Sequence, residues 1–250
     1  MLAPLLEGVD DLVFNGDSVE TRFARTRPEG QERFAQLREF VARHSPAIFL
    51  TGNHDPDITP LHHLDLAERS LFVTHGDAFF PGLSPWSRDA VALLKACTEA
   101  LASLPAAPSL SEQLAALRRA ILTLEHIGPR PHHLAKTRTL RGFLQEAWPP
   151  TRPFAMLHCW LTSARKAATF AAKHRPEARA VIMGHTHRAG IRKVGSRHII
   201  NTGSFLPYSG RLLVDLAGEE LCVRRIERRH DGFHPGIAVA RVRLYDLSPG

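Results

Sequence analysis

Cysteine is scarce in this chain: Cys97, Cys159 and Cys222 are the only three, odd in number and far apart. They offer neither a disulfide framework nor a Cys-x-x-Cys metal pair, which sets aside disulfide-stapled scaffolds and thiolate zinc modules. A reducing, cytoplasmic setting is expected. Long apolar runs are also missing. The longest, Ala90 to Leu104, is cut by Lys95 and Glu99, short of the roughly 20 apolar residues that a bilayer crossing needs. The start, Met1-Leu-Ala-Pro-Leu-Leu, lacks a basic region and soon meets Glu7, Asp10 and Asp11, so no secretory leader is expected. With 17 Gly and 18 Pro the chain is too poor in both to be collagen-like or disordered, and it shows no internal repeat. Acidic residues are outnumbered, 25 against 32 Lys and Arg, and the resulting net charge of +7 favours partners or substrates that carry phosphate or another anion.

What remains is ordinary globular material: 250 residues, 44% hydrophobic and 23% charged, enough for one domain with a sizeable core. Leu12–Asn15, Ala47–Thr51 and Ser70–Thr74 read as strands, each ending in a polar turn that contains Gly. Between the first two, Glu32 to His44 sets Phe34, Leu37, Phe40 and Val41 at helical spacing and stops before Ser45-Pro46. Strands return at Ala180–Met183, His198–Thr202, Leu212–Asp215, Leu221–Arg224 and Ile237–Leu244. This alternation predicts an α/β chain whose sheet is covered by helices.

Residues 81 to about 178 read instead as a helical insertion, a cap within a single domain spanning 1–250. Pro-rich joints fall at 105–108, 129–131 and 149–153. Ser109-Leu-Ser-Glu112 has the form of a capping box, followed by Leu110, Leu114, Leu117, Ile121 and Leu124 at spacings of four and three. Over 82–180 there are 14 Lys or Arg against 6 Asp or Glu, a net charge of 14 − 6 = +8. This basic stretch reads either as a solvated face or as a lid that draws in an anionic substrate.

Histidine is the outlier, with 15 residues, and four polar clusters follow the apolar runs. These are Asn15-Gly-Asp-Ser-Val-Glu20, Gly52-Asn-His-Asp55, His75-Gly-Asp77 and Gly184-His-Thr-His187. Ligands bind outside the carboxyl ends of strands in open α/β sheets, so clusters 170 residues apart can share one site. Asp, Asn and His form a mixed oxygen and nitrogen donor set suited to Mn, Fe, Zn, Co or Ni. Two such ions bridged by a carboxylate can clamp a phosphoester and activate water.

The series GD, GNHD, HGD and GHTH resembles the calcineurin-like metallophosphoesterase family. The resemblance implies a four-layered α/β/β/α sandwich and a dinuclear metal centre with Mn favoured. It implies that Asp17 bridges both ions, that Asn53, His75 and His185 complete one site, and that His187 belongs to the other. His54 resembles the family's general acid, with Asp55 orienting it, and Asn201-Thr-Gly-Ser204 resembles a structural turn that closes the second sheet. The family's opening Asp-x-His strand is missing from this chain, since Asp17 follows Met1 by 16 residues. The expectation is therefore that upstream coding sequence carries that strand and that this chain holds two ions or only one, with a gap beside the neighbouring strands.

His62, His63, His132, His133, His158 and His198 are further candidate ligands. The two pairs read as loop residues contacting solvent or substrate, and His158 reads as a packed core residue. Phe143, Trp148, Phe154 and Trp160 likewise read as core. The expected reaction is metal-assisted hydrolysis of a phosphomonoester, phosphodiester or pyrophosphate. The basic insertion resembles the lid of UDP-2,3-diacylglucosamine pyrophosphohydrolases, although that subgroup usually has Arg where this chain has His54. A nuclease or cyclic-nucleotide phosphodiesterase and a catalytically impaired metal-binding scaffold are the competing readings. The expected partner is an anionic small molecule or lipid, with nucleic acid second and peripheral membrane contact allowed.

Overall fold

The computed structural model describes residues 2–85, 87, 89–125, 151–206 and 209–245. Its first apolar runs form β1 (Leu12–Asn15) and β2 (Ala47–Leu50), paired in parallel from Leu12 opposite Ala47 to Asn15 opposite Leu50. Parallel neighbours need a crossover, supplied here by α1 (Arg27–Ala42). That helix begins five residues before the expected Glu32, because Pro28 in its first turn has no amide to leave unsatisfied there. It buries Phe34 edge-on against Phe49, which stacks in turn on Phe14 at 4.6 Å.

The second unit is a five-stranded sheet in the order β3 (His63–Leu66), β4 (Leu71–Thr74), β5 (Ala180–Met183), β7 (Arg197–Asn201), β6 (Gly190–Val194). The three central strands run parallel and the two edges antiparallel. Both β4 and β5 are buried at every residue, as strands covered on both faces must be. Side chains alternate across the sheet. Phe72, Val181 and Ile199 face α2 (Ala90–Ala102), α3 (Leu110–Leu122) and α4 (Thr151–His174). Leu71, Val73, Ile182 and Ile200 face Leu221, Val223 and Val242 of a three-stranded antiparallel sheet, β8 (Leu212–Ala217), β9 (Glu220–Arg228) and β10 (Phe233–Arg243). A smaller cluster of Leu5, Leu6, Val41 and Phe233 ties the chain start and α1 to β10. Helices, sheet and sheet therefore stack as the family resemblance implies, with α1 beyond.

Two strands, β3 and β6, escape the sequence reading. Each is an edge strand with one partner, so each needs only a short alternation, and polar residues such as His63 and Asp65 are tolerated. His63 thus opens a strand rather than lying in a loop, and it bonds Arg175 at 2.9 Å. In the insertion, α3 carries the full Ser109–Glu112 capping box and buries Leu110, Leu114, Leu117 and Ile121. Pro153 sits in the first turn of α4. Two core expectations fail on α4. Its buried side is Cys159, Ala167, Ala168 and Ala171, so Phe154, 73% exposed, and His158 point to solvent. His132, His133, Phe143, Trp148 and the joint at 129–131 lie outside the described residues, as do residues 149–150 of the joint at 149–153.

Among the described residues β1–β2 is not hydrogen-bonded to the five-stranded sheet. The strand ends that carry the polar clusters therefore belong to two separate ladders, and side chains rather than strand pairing must join them.

Candidate metal centre

Each polar cluster leaves the end of a strand: residues 15–20 after β1, 52–55 after β2, 75–77 after β4 and 184–187 after β5. The turns are tight. Asp17, His185 and His187 all have left-handed backbones, with φ of 54°, 61° and 56°. For residues other than Gly such conformations cost about 1–3 kcal/mol each and persist only where the surroundings enforce them, commonly at functional sites. Close approach between loops explains two glycines. A Cβ on Gly52 would stand 2.1 Å from Asp17 Oδ1, and one on Gly16 would stand 2.7 Å from His75 Nδ1.

Asp55 joins the first two loops. Its buried carboxylate accepts from the amides of Gly52 (2.6 Å), Asp17 (3.0 Å), Ser18 (2.6 Å) and Val19 (3.4 Å). Burial, together with the nearby charge of Asp17, pushes its pKa up to about 7. These bonds replace the expected role of Asp55, since His54 is oriented by another residue: its Nδ1 lies 2.6 Å from Glu20 Oε2. The backbone amide of His54 donates to Asp17 Oδ1 at 2.9 Å. Burial opposes a charge on the His54 ring, but Asp17 and Glu20 outweigh it and raise its pKa to about 9.

Asp17, His75 and His185 bring their ligand atoms within 4.8 Å of one another. His75 Nδ1–H donates to the Asn15 carbonyl at 2.9 Å, which turns Nε2 toward Asp17 Oδ2, 3.1 Å away. His185 Nε2–H donates to the Leu83 carbonyl at 2.9 Å, so Nδ1 is its lone-pair nitrogen. Burial and the charge of His75 hold the His185 ring neutral, with its pKa down at about 3. Burial also works against a charge on His75, but Asp17 overrides it and raises the pKa to about 9. Asp17 itself is held well below the usual carboxylate range, its own burial outweighed by His75 and His54.

The remaining polar atoms decide what fits here. Asn53 Oδ1 is buried without a hydrogen-bond partner, and Asp17 Oδ2 and His75 Nε2, buried 3.1 Å apart, have no partner but each other. Buried polar groups are nearly always satisfied, and orphans of this kind ask for an ion or water. A carboxylate, an amide oxygen and imidazoles whose other nitrogen is tied to a backbone carbonyl are donors for a divalent transition ion. The residues therefore fit such a metal. His187 stands outside the trio, half-buried, its pKa lowered by burial although the charge of Asp17 reaches it. The other described histidines do not join the cluster. His62 bonds Thr51 Oγ1 at 2.7 Å, and His198 lies in β7.

Two contributors have no role in the sequence reading of the site, although Glu20 closes its first polar cluster. Glu20 had a signal, a carboxylate three residues after Asp17 in the same cluster. The other is Arg118 of α3, buried against Asp77 and Thr51; its signal is a cation four residues after Leu114 and three before Ile121, inside the apolar stripe. Two cations of the basic insertion, Arg118 and Arg175, are thereby engaged with Asp77 and Asp65 rather than facing a substrate. Among the described residues no helix is long and apolar enough to cross a membrane.

Among solved structures, a double mutant of Vps29 from Entamoeba histolytica is 10% identical over 94% of this chain and 82% of that one, with a TM-score of 0.40. A single mutant of the same protein is 11% identical over 96% and 86%, again with a TM-score of 0.40. Wild-type Vps29 from that organism complexed with zinc is 19% identical over 32% and 47%, with a TM-score of 0.23. No curated protein sequence matches. The profile of the calcineurin-like phosphoesterases matches residues 2–189, a span that holds all four polar clusters. The chain belongs to the calcineurin-like phosphoesterase family.

Proposed function

We propose that this chain is a metal-dependent phosphoesterase that hydrolyses a phosphomonoester, phosphodiester or pyrophosphate bond of an anionic small molecule or lipid. The observation that carries this reading is the convergence of Asp17, His75 and His185, with the buried Asn53 Oδ1 left without a hydrogen-bond partner, beside a histidine equipped to give up a proton. Asp17, Asn53, His75 and His185 would hold one divalent ion, and Asp17 with His187 would serve a second. Mn is the ion that the family resemblance favours. Bound there, the metal supplies Lewis acidity toward phosphoryl oxygens and acidifies water near neutral pH.

The protein's own part is positioning and proton transfer. Glu20 fixes His54 Nδ1, so the Nε2–H is the proton that can be handed to a leaving oxygen. The His54 side chain is 41% exposed, open to a substrate on the solvent side while its backbone amide holds Asp17. A cationic imidazole in that place also offsets charge on a phosphoryl group. The three cysteines are unbridged thiols, which supports the proposed cytoplasmic setting.

The test loads the chain with Mn and assays p-nitrophenyl phosphate, its bis-ester and a UDP-sugar pyrophosphate, with an oligonucleotide in parallel. The expected outcome is hydrolysis of at least one, reduced on the order of 100-fold or more in His54→Asn at unchanged Mn content. A wild type that holds Mn yet cleaves none of the four would favour the metal-binding scaffold. Unchanged turnover in His54→Asn would remove His54 as the acid.

A further inference from the structure

We propose that Arg118, on a helix of the insertion, is a positioning residue for the metal centre, and that it acts by holding the ends of β2 and β4 at a fixed separation. This rests on the metal-dependent reading above and assigns the insertion a part in it. The guanidinium makes four hydrogen bonds. Nη1 and Nη2 grip the two carboxylate oxygens of Asp77, the second at 3.0 Å. Nη2 also donates to the Thr51 carbonyl at 3.2 Å, and Nε donates to Thr51 Oγ1 at 3.0 Å. Arg118, Asp77 and Thr51 are 2%, 0% and 0% exposed.

The partners' places in the chain give the bridge its meaning. Thr51 is followed by Gly52 and the candidate ligand Asn53, and Asp77 is preceded by Gly76 and the candidate ligand His75. Since β2 and β4 belong to separate ladders, no strand hydrogen bond sets the distance between these two loops. Arg118 is a cross-link from Thr51 to Asp77 through a single rigid plane, and a planar fork with five donors suits that task. Stability alone is a weak reason for it, because a buried ion pair can often be replaced by apolar residues without loss. The helix that delivers it is anchored independently by its capping box and by Leu110, Leu114 and Ile121. His62 completes the bridge: Thr51 Oγ1, accepting from Arg118 Nε, is left to donate its own proton to His62 Nδ1.

Two variants of the full chain test this. Asp77→Leu with Arg118→Met removes both charges together and strands neither. Arg118→Lys keeps a cation without the fork and alters no residue beside a ligand. Each is melted in EDTA to establish folding, and Mn binding is then measured by isothermal titration calorimetry. The expected result is cooperative melting near the wild type, with the Mn dissociation constant raised on the order of 10-fold in the double variant and less in Arg118→Lys. Wild-type affinity in a folded double variant, or in folded Arg118→Lys if the double variant does not fold, overturns the proposal. It leaves Arg118 a purely structural group and the metal-site reading intact. Failure of the wild type itself to bind Mn overturns both.

Discussion

At the residue scale the site is a matter of clearance between loops. Gly52 has a hydrogen where any other residue would place a carbon 2.1 Å from Asp17 Oδ1 and 2.6 Å from its amide. Gly52→Ala should therefore force the 52–55 and 15–20 loops apart. The expected result is a folded chain, destabilised by about 1–3 kcal/mol as overpacked sites are, that loses most of its Mn; elemental analysis after gel filtration reads this directly. Full Mn retention would show that the two loops do not need their close approach. The left-handed backbones of Asp17 and His185 tell the same story, since local strain persists at two candidate ligands that converge.

At the element scale the interest lies in what fastens one element to another. His62 stands at the entry of β3, bonded through Thr51 to Arg118 of α3. Burial, and then the Arg118 charge, lowers its pKa from the ordinary 6.5 to about 4. Between those values the unfolded chain holds a proton on His62 that the folded chain does not, so stability falls as pH drops from about 6.5 to about 4 and is complete above 6.5. His62→Asn keeps an acceptor for Thr51 but cannot titrate. Its thermal midpoint should fall less steeply over that window than the wild type's, and parallel curves would exclude His62 as a contributor. Much at this scale is legible beforehand. The strands at Leu12–Asn15 and Ala180–Met183 fall where the apolar runs place them, and α3 begins at its capping box. The edge strands β3 and β6 do not announce themselves, because one-sided pairing asks little of the sequence. The solvent-facing Phe154 and His158 on α4 are illegible for another reason: which side of a helix is buried depends on what packs there.

At the scale of the whole molecule, the candidate centre joins the β1–β2 ladder to the five-stranded sheet through side chains. A metal bound there should stabilise the chain as a unit. At 100 times its dissociation constant Mn adds about 2.7 kcal/mol, which for a chain of this size is roughly 5–10 °C in the thermal midpoint. EDTA should reverse the shift, and His185→Ala should abolish it. A wild-type midpoint indifferent to Mn would argue against binding to the folded state.

The sequence alone determined the candidate donors and the loops that carry them, because Asp, Asn and His following Gly-rich strand ends have a chemistry and a backbone geometry that local residues dictate. It also determined the α/β alternation and the helical character of the insertion, which depend on short-range periodicity. Only the tertiary structure decided which donors meet, that Asp55 clamps loops while Glu20 orients His54, and that Arg118 turns inward to Asp77 and Thr51. The bonds from Glu20 to His54, from Asp17 to Asp55 and from Arg118 to Asp77 and Thr51 span 34 to 67 positions. They are selected by packing and by the need to satisfy buried charge, which no local pattern records.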